Sequence, residues 1–490
     1  MSSDITTVPF AELQARLAKF GSRSPLDLED GTIVVLPSLT FPPSELRKII
    51  GIERYEERLL CLLLLLREPG LEMVYVTSAP VDEVVIDYYL SFLPDAADAR
   101  RRATFVHLDD EEPRALTEKL LQHPEALDSM RDAIRDVERA VIVPFNVTEL
   151  ERDVAEALGV PVYGPNPELA SWGSKSGARQ VARDSGVPVL EGSEDLFSLL
   201  DVERAIRRLH RRRPAARAAV VKLNYGFSGQ GNAIIQLSDV ESPLDSSKTS
   251  FCASEESWPS FIGKIEAEGA IVEEVAQGEV VLSPSVQVSI APDGSVEVIS
   301  THDQILGGPD DQVYLGCRFP AGAQYRAVIT AHAISVARTL ADREVVGAFG
   351  IDFIVLPRDG GHDVFLSEIN LRLGGTTHPF LMARLMTEAT YDPIDGELIA
   401  EGRPITYVST DNLKSQAYVG LEPAGMIAGL TESGLAYDRA GRAGATLHLL
   451  GALPRYGKLG TLCIAPGAEA AEELYADVVA TLDELAVKGH

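Results

Sequence analysis

Four short apolar runs rich in β-formers, TIVVLP (32–37), EMVYVTS (72–78), ATFVHL (103–108) and AVIVPF (140–145), recur through the first third of the chain with long amphipathic segments between them. Strands spaced by helix-length segments are too far apart in sequence to pair as hairpins. They assemble instead as an open, largely parallel α/β sheet. The unit is expected to span 1–163 and to end beside the Pro- and Gly-rich stretch VPVYGPNPE (160–168). Inside it, the run Leu59 to Leu66 is much shorter than the roughly 20 residues a membrane span needs. It reads as a buried helix stopped at Pro69-Gly70.

After a helix predicted over SKSGARQVARDSG, the pattern changes at Val220. The runs VVKL, AIIQL, AIVEEV, SPSVQVSI and SVEVIS follow one another with turn signals such as Pro292-Asp293-Gly294, which predicts antiparallel sheet. One helix, Tyr325 to about Asp342, interrupts it, and the chain closes with a small β element and a helix from about Ala468. At 490 residues more than one core is expected. Asp plus Glu outnumber Lys plus Arg by 73 to 44, a net charge of -29, which argues against a nucleic-acid partner. The basic cluster Arg204 to Arg217 reads as a solvated helix face. Four scattered cysteines suggest neither a disulfide framework nor a zinc site, and the N-terminus MSSDITTVPF has no basic or apolar leader region. A cytoplasmic protein without membrane attachment is the expectation.

Two segments carry chemistry. In VVKLNYGFSGQGNAII (220–235) a strand bearing Lys222 enters a loop holding Gly226, Ser228, Gly229 and Gly231, and another strand follows. Glycines let backbone N–H groups approach an anionic oxygen, and the ammonium supplies opposite charge, so the loop suits phosphate. It lacks the GK[ST] of a Walker loop, and its glycines lead into a strand rather than the helix of a dinucleotide fold. Taken alone it fits a ligand-free hairpin equally well. The second segment, DFIVLPRDGGHDVFLSEINLR, puts Asp352 and Glu368 eight positions either side of Gly360. In an unbulged hairpin they face each other on the order of 5 Å apart at the backbone. Two such carboxylates repel unless a cation lies between them. Asn370, two residues on, adds a neutral oxygen to the same face, an incomplete magnesium shell that phosphate oxygens would finish. Arg372 continues the alternation toward a transferring phosphoryl group or an oxyanion.

With these motifs in this order, the stretch Tyr163 to Phe380 resembles the ATP-grasp family. Lys175 in GSKSGAR and Lys222 match the family's two nucleotide lysines, and Glu273-Glu274 its acidic hinge. Glu368, Asn370 and Arg372 match its E-x-N-x-R strand, with Asp352 as the earlier metal carboxylate. ERYEERLL, YVTSAP, GSKSGAR and EINLRLGGTTHP are similar more narrowly to the peptide ligases of pheganomycin-type biosynthesis. The resemblance implies an α/β plus α+β chain with the ATP-grasp fold. A pre-ATP-grasp domain would occupy 1–163 and a nucleotide-binding region 164–410, split into a lid at 187–275 and a metal-binding part at 276–410. A C-terminal extension, 411–490, would complete it. It further implies ATP with two magnesium ions, manganese as a substitute, adenine against the backbone at Val275, and ribose near Glu279. The implied activity joins an amino-acid-like acid to the N-terminal amine of a peptide through an acylphosphate, in a possible homodimer. His302, Gln304, Thr376 and Thr377 are expected at the cavity, with Arg372, Arg318 and His378 as catalytic groups. The GGTTHP run departs from the carboxylase branch. An ATP-grasp ligase of primary metabolism and a non-catalytic ATP-binding regulatory protein are the alternatives.

Overall fold

The computed structural model describes residues 8–22, 24–226, 231–237, 244–253, 256–307 and 313–489. Strands β1 (Asp30–Leu36), β2 (Gly70–Thr77), β3 (Ala103–His107) and β4 (Ala140–Pro144) form the parallel sheet that the alternation predicts, in the order β3-β2-β1-β4. Between β1 and β2 runs the helix Ile52–Arg67, wound as a 3-10 helix, with every residue from Leu59 to Leu66 buried. Such a segment is apolar all round because it is covered all round. One side meets β2 and the helix Glu83–Leu90, and another meets the helix Thr377–Thr387 from the far end of the chain.

A second, five-stranded sheet is antiparallel throughout. It contains β5 (Gly192–Leu196), β6 (Ala218–Leu223), β7 (Asn232–Gln236), β8 (Thr249–Phe251) and β9 (Ala270–Glu274), ordered β5-β9-β6-β7-β8. Helix Trp258–Glu268 lies between β8 and β9. The sequence reading anticipates only strands there, because the short amphipathic stretch WPSFIGKIEAE sits among β-rich runs.

The third sheet has ten strands. They are β10 (Pro284–Ile290), β11 (Val296–Gly307), β12 (Val313–Phe319), β13 (Gly347–Arg358), β14 (Gly361–Asn370), β15 (Thr390–Asp392), β16 (Glu397–Ala400), β17 (Arg403–Lys414), β18 (Gly444–His448) and β19 (Lys458–Ala465). Along β10 and β13 the pleat sorts side chains by face. Val286, Val288, Ile351 and Phe353 pack in one core with the helices Ala323–Ala341 and Lys175–Asp184. Ser285, Gln287 and Asp352 point to the opposite face, where the cavity lies. The expected boundary at 410 falls inside β17, which pairs with β12 and β19. The C-terminal segment extends the large sheet: its β19 pairs along β17 and its β18 along β19, which covers the edge that β17 would otherwise leave open.

Leu63 is fully buried in the core that these parts share. Leu63→Ala is expected to cost about 2–5 kcal/mol of stability, read as a lower denaturant midpoint with an unchanged slope.

Candidate active site

The β13–β14 hairpin sets the site. Its turn is tighter than the sequence suggests: Arg358 pairs with Gly361, and the ladder runs in that register up to Phe353 opposite Leu366. Continued without interruption, it would set Asp352 against Ser367 and send Glu368 to the core face. A β-bulge between Asp352 and Phe353 absorbs one residue, so that Asp352 pairs with Glu368 and Gly350 with Asn370. The expected pairing is thus present, and a bulge produces it.

Charge follows from that register. Asn370 Nδ2 donates to Asp352 Oδ2 at 3.0 Å, and Arg372 donates to Asn370 Oδ1 at 3.1 Å. Burial, with the Glu368 charge added, pushes the Asp352 carboxyl up to about 6, while bonds from Ser285 and Gln304 act the other way. Lys175 bonds Glu368 Oε1 at 2.5 Å and the Gly226 carbonyl at 3.1 Å. Arg372 lies over the rings of Phe41 and Phe145, and burial lowers its pKa against the pull of Glu368 and Asp352. All of these groups line a cavity of about 440 Å³. The oxygen donors Asp352, Glu368 and Asn370 suit a hard divalent cation. Among the described residues no three His, Cys, Asp or Glu side chains converge as a complete metal cage.

Lys175, Lys222 and Gly226 at the neck of the glycine loop line the same cavity as this wall. Lys175 begins the helix Lys175–Asp184, capped by Ser174, and its own N–H bonds the Asn224 carbonyl next to the glycine loop. A cation at a helix N-terminus opposes the helix dipole, and Glu368 offsets that. Gly226 and Gly231 stand back to back at the loop's neck, where a Cβ on either would come 2.9 Å from the other's Cα. The neck therefore admits only glycine. Ser228 and Gly229 lie outside the described residues.

Glu273 is 2% exposed, bonds Lys222 at 2.9 Å and pairs with Arg179. Burial pushes its carboxyl up, but Lys222 and Arg179 outweigh that and hold it below the ordinary value. Its carboxylate is thus occupied in holding Lys222 from behind. Glu274 lies 3.5 Å from Arg213, the Val275 N–H bonds the Ala218 carbonyl, and Glu279 is exposed.

Two expected catalytic groups are corrected. Arg318 is half exposed, pairs with Glu472 on the C-terminal helix Ala468–Gly489, and does not line the cavity. A bulge at Leu315 reverses the alternation of β12, so that Tyr314 and Cys317 share the face of Leu306 and Gln304, while Arg318 shares that of Asp303. His378 is 2% exposed and bonds His448 at 3.1 Å, and burial drives its pKa well down. It is a structural histidine. His302 is likewise buried, against Tyr407 at 2.7 Å. Gln304 and Thr376 do line the cavity, and Thr377 accepts from the Gly374 N–H at 2.9 Å. Sequence reasoning missed the cavity's other end, with Tyr55, Arg58, Asp411, Lys414 and Lys458. Its one sequence signal is Arg58 standing at the head of the leucine run.

A family model described as IQCH-like, ATP-grasp matches residues 237–393, and one for the PGM1 C-terminal domain matches 426–478. The chain is 32% identical to the L-propargylglycine–L-glutamate ligase of Streptantibioticus cattleyicolor, over 90% of this chain and 92% of that one. Among solved structures, it resembles an N5-carboxyaminoimidazole ribonucleotide synthetase in its ADP complex, with a TM-score of 0.54 and 14% identity, covering 93% and 97% of the two chains. It also resembles the biotin carboxylase domain of Hydrogenobacter thermophilus 2-oxoglutarate carboxylase bound to MgADP, ADP and bicarbonate, with a TM-score of 0.56 and 12% identity over 91% and 89%. At these identities the two structures speak for the fold.

Glu273→Gln keeps the shape but strips two buried cations of their counter-charge, so a loss of about 3–5 kcal/mol is expected. Because the native carboxyl has a depressed pKa, its contribution is full above the unfolded pKa and fades as pH falls through the folded one. Chemical denaturation across acid pH should show that limb in the wild type and not in the variant.

Proposed function

The chain belongs to the ATP-grasp ligase family, and on that premise we propose that it couples ATP cleavage to amide formation between two amino-acid-like substrates at the β13–β14 wall. Enzymes of this family are ADP-forming ligases of a carboxylate with an amine. The observation that carries the assignment to this wall is the Asp352–Glu368 pair, opposed across a hairpin and reached by Lys175 from the glycine-loop side.

Asp352, Glu368 and Asn370 would hold magnesium, which would supply positive charge to offset that on the transferred phosphoryl group. Two ions are proposed, with manganese able to substitute. Lys175, Lys222 and the neck of the glycine loop would hold the triphosphate, the backbone near Val275 would meet adenine, and Glu279 would reach the ribose. The substrate carboxylate oxygen attacks the γ phosphorus, the bond to the β-phosphate oxygen breaks, and ADP leaves with that electron pair. The amine nitrogen then adds to the acyl carbon of the acylphosphate. Arg372 stabilises the oxyanion, the C–O bond to phosphate breaks, and the nitrogen loses its proton. The lid at 187–275 would exclude water, which otherwise hydrolyses the acylphosphate.

A cavity of about 440 Å³ lies toward the lower end of the roughly 300–1,000 Å³ usual for ligand sites. Beside the phosphates it favours a single amino acid, or the first residue of a peptide, as the amine. The name of the Streptantibioticus cattleyicolor relative, which pairs two amino acids, supports the same class.

ADP release is screened over acids and amines with and without hydroxylamine, which should trap the activated acyl group as a hydroxamate. Glu368→Gln is expected to lower ADP release at least ~100-fold without changing the unfolding midpoint by more than about 1 kcal/mol, and EDTA should silence the wild type. A variant with wild-type turnover would remove Glu368 from the chemistry.

A further inference from the structure

Among the described residues, the end of the cavity away from Lys175 and Lys222 is cationic and short of counter-ions: Arg58, Lys414 and Lys458 line it with one carboxylate, Asp411, which Arg58 already engages. Lys414 and Lys458 are direct cross-strand partners on β17 and β19, an arrangement in which like charges destabilise the sheet. Among the described residues neither makes an ion pair. Lys458 is only 5% exposed, and its Nζ donates to the Tyr55 hydroxyl at 2.5 Å. The Tyr55 ring takes both cations, with Lys458 4.8 Å and Arg58 4.4 Å from its centroid. The buried Nε of Arg58 has no acceptor. Burial lowers the Lys458 pKa to about 8, the nearby Lys414 adds to that shift, and Asp411 opposes it. A buried N–H left unmet beside two opposed ammonium groups is costly unless a ligand supplies acceptors.

The order of groups along the cavity says which ligand. In the large sheet β10, β11 and β12 separate β13 and β14, which carry Asp352 and Glu368, from β17 and β19, which carry Lys414 and Lys458, and Arg372, two residues past β14, feels the charges of Glu368, Asp352 and Arg58. In amide formation the acyl carbon is tethered to phosphate at the metal, and the amine approaches from the side away from it. The molecule at the cationic end, across the sheet from the acidic hairpin, is therefore the amine substrate. We propose that Arg58, Lys414 and Lys458 form a subsite for a free, unreacting carboxylate of that substrate, which makes the acceptor an α-amino acid rather than a peptide extended past its first residue.

This inference rests on the ligase reading, and its test separates the two. Pairs of L-amino acids are screened for ADP release, and in each active pair either partner is replaced by its carboxamide. Amidation of the acyl partner removes the reacting group and abolishes turnover. Amidation of the amine partner should raise its KM at least ~30-fold with little change in kcat or in the KM for ATP, since a neutral amide forfeits the charge-assisted bonds. In Lys458→Gln and in the more exposed Lys414→Gln that ratio should fall below about threefold, by raised KM for the acid. An amide that serves as well as the acid in the wild type overturns the subsite, as does a ratio unchanged in both variants. If no pair releases ADP, the ligase reading fails instead, and the subsite is judged by thermal unfolding. A mixture of L-amino acids at millimolar concentration should raise the wild-type Tm but not that of Lys414→Gln, and equal shifts would overturn the proposal.

Discussion

Two carboxylates face each other across the β13–β14 hairpin in a partly dry wall, and much of the nucleotide end is arranged around that repulsion. A bulge brings Glu368 to the cavity face, Lys175 neutralises it, and Asn370 and Arg372 hold the neighbouring oxygens. With Asp352 beside Glu368 the pair carries unfavourable electrostatics, which a divalent cation between them would relieve. The same arrangement makes Lys175 serve twice, as counter-ion to Glu368 and as a cation beside the glycine loop, where it bonds the Gly226 carbonyl.

The electrostatics of the cavity run against those of the chain. In a protein of net charge -29, the described residues of one lining include seven cationic side chains against three carboxylates. Fixed positive groups lining a cleft concentrate anions there, and the acidic exterior discourages unrelated polyanions from the surface. Several of the cations are themselves oriented by buried acids, Lys222 by Glu273 and Arg58 by Asp411. Among the described residues Lys414 and Lys458 make no ion pair, and Asp411, which acts on Lys458 from a distance, is engaged by Arg58, so the far end of the cavity reads as unfinished without a ligand.

Much of the wall was legible because period-two alternation on a hairpin is local information. Asp352, Glu368, Asn370 and Arg372 could be read to one face from spacing alone, although the turn lies half a residue from where it was expected and the bulge makes up the difference. Arg318 was expected at the cavity as a polar residue of GCRFPAG, but an unmarked bulge at Leu315 sets the face of β12 on which it stands. His378 was also expected at the cavity, whereas the helix Thr377–Thr387 carries it inward to His448. Glu273 shows a subtler limit. Its acidity was readable, but its partners, Arg179 and Lys222, come from a helix and a strand remote in sequence.

Sequence alone determined the parallel first sheet, the antiparallel remainder, the glycine neck and the acidic hairpin, because each depends on residues within a few positions of one another and on the pleat or the turn they build. Only the tertiary structure decided that β17, β18 and β19 complete the central sheet. It alone brought Arg58 from the leucine-rich helix against Asp411 and Lys458, and withdrew Arg318 and His378 from the chemistry. Those outcomes depend on which distant surfaces bury one another and on single-residue bulges, whose cost is repaid by packing that no local pattern records.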